Sequence, residues 1–131
     1  MLKAHTVGPI LENNSARAVK KALSALFDKE IQPLEALSGV WSLPNAGPFF
    51  SSYMLALVTK GEYIVYEPHL LKGMKDVAPY LVEDMNTVDT VDAYRKFMAV
   101  CCAVREVYGF TSYAELHEFL WHGNSTDWTF K

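Results

Sequence analysis

Cysteine is scarce in this chain and carries no spacing. The two thiols, Cys101 and Cys102, are adjacent. Neighbours on a helix point about 100° apart, so these two are badly placed to bridge one another. No Cys-x-x-Cys pair exists to hold zinc or an iron–sulfur cluster. Buried, reduced thiols are the expectation. Histidine is equally unhelpful to a metal: His117 and His122 are five apart, about 140° around a helix. Glu118 and His122, four apart, can meet on one face but supply only two ligands. No metal and no cofactor is therefore expected. A long apolar run is also missing. The longest, Phe97 to Val104, is too short to cross a bilayer, so no membrane role is expected. The first residues include Lys3, His5, Gly8 and Pro9 rather than an apolar leader, which points to the cytoplasm. Positive charge is in deficit, with 12 Lys and Arg against 15 Asp and Glu. A net charge of −3 excludes a general affinity for phosphate and restricts any nucleic-acid contact to a local patch. Gly-x-Ser-x-Gly, a P-loop and His-Glu-x-x-His are all absent.

What is present is enough apolar residue for a real core. Half of the 131 residues are hydrophobic, which fits one globular domain spanning the whole chain and argues against disorder. Residues 1–13 contain Gly8 and Pro9, show no period and read as an N-terminal arm or loop. Asn14 or Ser15 can cap a first helix, whose apolar face runs through Ala16, Val19, Ala22, Leu23, Leu26 and Phe27. Arg17, Lys20 and Lys21 sit on its other side, as a solvated face or a phosphate contact. A shorter helix covers Ile31 to Leu37, with Pro33 in its first turn and Gly39 as its C′ residue. Trp41 reads as a core or lid residue.

The central stretch is Leu43 to Leu71. It reads helix, Pro/Gly turn, helix, loop at Lys60-Gly61, acidic cap, helix. Phe49 to Val58 is apolar nearly all round, the mark of a buried central helix. Tyr53 to Val58 and Tyr63 to Tyr66 also have strand-like content, but the first run is rich in Met, Leu and Ala and does not alternate, which favours helix then loop. Glu67 followed by Pro68 is a helix start, with the carboxylate beside the positive end of the dipole. Pro79 breaks or kinks that helix, and Tyr80 to Met85 continues as a short turn. Tyr94, Phe97, Met98, Cys101, Val104 and Tyr108 then define a long helix stopped by Gly109. Ser112 and Glu115 form a capping box for a last helix through Tyr113, Leu116, Phe119 and Leu120. Residues 122–131 are a polar tail with Trp128 and Phe130. The total is an all-α domain of about six helices around a helix–hairpin–helix unit.

Leu43-Pro44-Asn45-Ala46-Gly47-Pro48-Phe49-Phe50-Ser51 resembles the L-P-G-V-G-x-K-T-A hairpin of the helix–hairpin–helix DNA glycosylase superfamily, the endonuclease III-like fold. Leu43, Pro44 and Gly47 match in place. Tyr63-Ile64-Val65-Tyr66-Glu67 lies over the segment leading to that family's catalytic aspartate, with Glu67 at the acid position. Pro68-His69-Leu70 is similar to the start of the following helix. Tyr94 and Glu118-Phe119-Leu120-Trp121 resemble the tyrosine-led and last helices of uncharacterised superfamily members. The resemblance covers roughly residues 31–121. It implies DNA binding through Asn45, Ala46 and Gly47, aided by Lys20 and Lys21, and a base pocket formed by Tyr63, Tyr66 and His69, with Tyr53 nearby. Phe49 stands where the lyase lysine falls, so Schiff-base chemistry is not implied. If the chain is an enzyme, the resemblance implies a monofunctional DNA glycosylase using Glu67. The other reading is a non-catalytic helical interaction or assembly protein, its acidic surface facing a protein partner.

Overall fold

A computed structural model describes residues 4–122 of the chain, and the side chains of residues 7–122. The described residues are all-helical, with no strand among them: α1 (Ala4–Asn13), α2 (Ala16–Phe27), α3 (Pro33–Trp41), α4 (Gly47–Val58), α5 (Pro68–Val77), α6 (Val91–Tyr108) and α7 (Tyr113–His122), plus a 3-10 turn at Pro79–Leu81. The polar tail beyond His122, with Trp128 and Phe130, lies outside the described residues.

Most helix ends follow the local chemistry. Ser15 caps α2 by accepting the Ala18 N–H at 3.1 Å, and Thr90 caps α6 through Ala93 N–H at 3.0 Å. Gly109 ends α6 in the left-handed region, φ 74°. There the Phe110 N–H donates to the Arg105 carbonyl and the Gly109 N–H to Glu106, the paired bonds of a Schellman stop. At α7, Ser112 Oγ accepts the Glu115 N–H, while the Glu115 carboxylate reaches back to the N–H and hydroxyl of Thr111. That is the reciprocal cap expected from the sequence, extended one residue upstream. These bonds to Thr111 hold the Glu115 carboxyl below its usual range.

Three local expectations are corrected. Residues 4–13 are helical rather than an arm, with Pro9 inside α1. Proline there removes one intrahelical bond; tertiary anchoring offsets the loss. Ile10 is buried, and Asn14 Nδ2 donates to both the Ile10 and Pro44 carbonyls at 2.8 Å. The end of α1 is thereby tied to the turn before α4. Second, Gly39 lies within α3, which continues to Trp41 because Val40 is wholly buried and holds the next turn on the core. Third, α4 is not a fully buried central helix. Phe50 and Leu55 are buried, but Leu57 is 58% exposed and Tyr53 and Ala56 are only partly covered.

The centre of the molecule belongs to α6. Tyr94 and Phe97 are completely buried, and Phe97 meets Tyr66 edge-on at 5.4 Å. α6 packs on α3 on one side and on α7 on the other, while α2, α3 and α4 pack together and α5 packs chiefly on α7. The α5–α7 contact is unusually close. A Cβ added at Gly73 would overlap the backbone carbonyl of Leu120, with the carbonyl carbon at 2.8 Å. Of the two thiols, Cys101 is buried as expected, but Cys102 is exposed, because adjacent helical positions face different ways.

Candidate functional site

The site is built on the connection between α4 and α5. Residues 64–67 carry no regular secondary structure and include the buried Ile64 and Tyr66, so their peptide groups need partners other than a helix or strand ladder. Side chains supply them. Tyr94 Oη donates to the Ile64 carbonyl at 2.6 Å, and the Ile64 N–H faces Met98 Sδ at 3.4 Å. The Tyr66 N–H donates to Ser52 Oγ at 2.7 Å, and that hydroxyl donates in turn to the Phe49 carbonyl. Burial pushes the Tyr94 phenol far above its usual range, so it stays a donor. The two buried serines of α4 thus divide: Ser52 holds the connection, whereas Ser51 Oγ has no partner in the structure.

Ile64 and Tyr66 are buried. Gly61, Tyr63, Ile64, Val65 and Glu67 line a cleft of about 550 Å³, whose other walls are Phe49, Tyr53 and Ala56 of α4 and Tyr113, Ala114, His117 and Glu118 of α7. Phe49 and Tyr53 are in tilted contact at 5.9 Å.

Glu67 occupies the N-cap position of α5, with extended φ and ψ of −139° and 152°. Its side chain makes no capping hydrogen bond. It reaches instead to α7, where its Oε2 lies 3.2 Å from His117 Nε2. The two side chains are 29% and 25% exposed, open to the cleft rather than sealed. His117 is a site residue that the sequence did not reveal. Its neighbour Glu118 pairs with His122 at 3.1 Å on the surface, as the four-residue spacing allows. Trp121 backs the pair: its ring stacks on His69 at 4.6 Å and lies parallel to His117 at 6.3 Å. Arg105 braces the start of α7, donating to the Phe110 and Thr111 carbonyls with its guanidinium 4.7 Å over the Tyr113 ring. Burial raises the Tyr113 phenol and a hydrogen bond with Cys102 adds to this, opposed by Arg105.

The anticipated pocket residues separate. Tyr63 and Tyr53 line the cleft with Glu67. Tyr66 turns to the other side, where with Phe49, Pro68 and Leu71 it lines a second cavity of about 500 Å³. Burial raises its phenol, with a hydrogen bond to the Val88 backbone opposing. His69 is exposed against Trp121. In the turn, Asn45 is exposed with φ 68° and Gly47 has φ 67°, while Ala46 is buried. Lys20 and Lys21 are exposed on α2 and line neither cavity.

A carboxylate and an imidazole in contact, half open and ringed by aromatics, can accept and donate hydrogen bonds to a flat polar ligand and can move a proton. Among the described residues no group of three His, Cys, Asp or Glu is placed to hold a metal ion. Comparison with protein-family models, with characterised proteins and with solved structures returned no match to this chain.

Proposed function

We propose that the chain is a DNA-binding domain whose cleft at Glu67 receives an unpaired base. The carrying observation is the position of Glu67. Its carboxylate leaves its own helix uncapped and opens with His117 into a cleft lined by the rings of Phe49, Tyr53, Tyr63 and Tyr113. Aromatic rings offer stacking faces to any base, each worth about 1–3 kcal/mol when truncated to alanine. The carboxylate accepts from amino or imino groups at a base's edge, and the imidazole supplies a donor or acceptor beside it. The turn at Asn45–Gly47, with two residues at positive φ, brings backbone N–H groups to the start of α4, where a phosphate oxygen is stabilised.

The Glu67–His117 contact also favours a catalytic reading of the same site. Water would add to the sugar C1′ as the C1′–N bond breaks, the bond's electron pair leaving with the base. The attacking water gives up one proton and the departing base takes one up, while the carboxylate stabilises positive charge on the sugar.

Fluorescence anisotropy with short duplexes tests binding. A duplex carrying one unpaired nucleotide should bind about tenfold or more tighter than its matched counterpart. Tyr63→Ala should remove most of that preference; Tyr80→Ala, whose ring is 86% exposed and lies outside the cleft, should leave it intact. Equal affinity for matched and bulged duplexes would overturn the proposal. Abasic sites appearing with the native chain and not with Glu67→Gln would establish the catalytic reading.

A further inference from the structure

The two cavities are not independent. Phe49 lines both, and at the entry to α5 the chain divides between them, Glu67 lining the cleft and its neighbours Tyr66 and Pro68 lining the groove. The groove is walled on one side by α5, which presents Lys72 and Lys75 to it. Residues three apart are neighbours on one helix face, about 5–6 Å between Cβ atoms. Both lysines are exposed. The same groove is lined by Pro48 and Phe49 in the first turn of α4, where there is no acidic residue and no side chain capping the helix. The electrostatic end of a helix and two cations therefore face the same groove. Asp89 is the acidic residue among those lining it.

We infer that groove and cleft form one continuous nucleotide site: the base enters the cleft while the phosphates flanking it cross the Phe49 ridge and are held by Lys72 and Lys75. The inference rests on the proposed DNA-binding reading and adds to it the path of the strand. It replaces Lys20 and Lys21 with the α5 lysines as the chief cations, because the α5 pair shares the groove with Phe49 and the α2 pair lines neither the groove nor the cleft. Cations at both phosphates flanking one nucleotide fix it in register, so that the aromatic cleft can take its base.

The test is the salt dependence of binding to the bulged duplex. Each phosphate neutralised contributes about 0.7–0.9 to the slope of log affinity against log salt. Lys72→Ala/Lys75→Ala should lower that slope by about 1.5 and weaken binding about tenfold or more near physiological salt. Asp89→Asn should tighten binding. Lys20→Ala/Lys21→Ala should change the slope little. Thermal melts of each variant separate lost contacts from lost folding, and all the lysine positions are solvent-exposed. A double α5 variant that keeps the native slope and affinity would overturn the inference while leaving DNA binding standing. A shift of the slope change to the α2 pair would do the same. Failure of the native chain to bind the bulged duplex would overturn the inference and the underlying reading together.

Discussion

Lys60 carries a conformation that glycine usually carries. It sits at φ 55° just beyond α4. The Gly61 N–H donates to the Ala56 carbonyl at 2.9 Å and the Lys60 N–H to Leu57 at 3.3 Å. These are the bonds that Gly109 and Phe110 make at the end of α6, where the left-handed residue is glycine. The left-handed region costs a residue with a Cβ about 1–2 kcal/mol, and glycine's greater unfolded freedom returns part of it. Lys60→Gly should therefore stabilise the chain by about 0.5–1 kcal/mol in urea unfolding, and Gly109→Ala should destabilise it by at least as much. A loss of stability in Lys60→Gly would mean that the lysine side chain makes a contact worth more than the strain. Asn45 is the same kind of residue in the turn before α4. Asparagine tolerates positive φ better than most, which is why the turn forms with one glycine where the resembled hairpin has two.

Among the elements, the contact of α5 with α7 decides the site. Glu67 precedes α5 and His117 lies within α7, so their 3.2 Å separation is set by how closely these helices pack. Gly73 permits that approach. Gly73→Ala places a methyl group against the Leu120 backbone, which no rotamer change relieves, and should cost about 1–3 kcal/mol. The helices must part, and the chemical shifts of the His117 ring should move with them. Gly39→Ala is the internal contrast. Gly39 is also helical, but its added Cβ meets nothing within 4 Å, so alanine there should stabilise α3 by about 0.5–1 kcal/mol. Opposite signs for one substitution in two helices would separate packing from propensity. Equal effects would show that the α5–α7 approach carries no strain-sensitive contact.

For the molecule as a whole, two weak acids of α6 tie stability to high pH. Tyr94 and Cys101 are buried, and burial raises both above their usual values of 10.0 and 9.0. Folded, they keep their protons; unfolded, they lose them as pH passes those usual values. Between the two ranges the unfolded chain binds fewer protons, so stability falls as pH rises. Their contribution is complete below about pH 9 and declines above it. Urea midpoints measured from about pH 7 to about pH 11 should show that decline, with the thiol part missing in Cys101→Ala. A flat profile would mean that water reaches these groups in the native state. On the acid side the sign reverses: the Glu115 carboxyl is held low by Thr111, so its contribution is lost as pH falls through the carboxylate range.

The sequence by itself determined the helical class, the burial of Tyr94, Phe97 and Leu116, a first cap at Asn14 or Ser15, the capping box at Ser112, the stop at Gly109 and the interruption at Pro79. Each rests on chemistry within four or five residues, or on a period of 3.6. It also marked Glu67 as a helix start. Tertiary structure alone decided what that carboxylate does. The partner that draws it away from its helix is fifty residues further along, and no local pattern links position 67 to His117. The same limit explains α1, where Gly8 and Pro9 argued for a loop and the anchoring of Ile10 and Asn14 overrode them. It explains Tyr66 as well: Glu67 lines the cleft while its neighbour Tyr66 lines the second cavity, a division that no local pattern announces. The path of residues 64–67 is itself not local, since Tyr94, Met98 and Ser52 hold its backbone in place of a neighbouring strand.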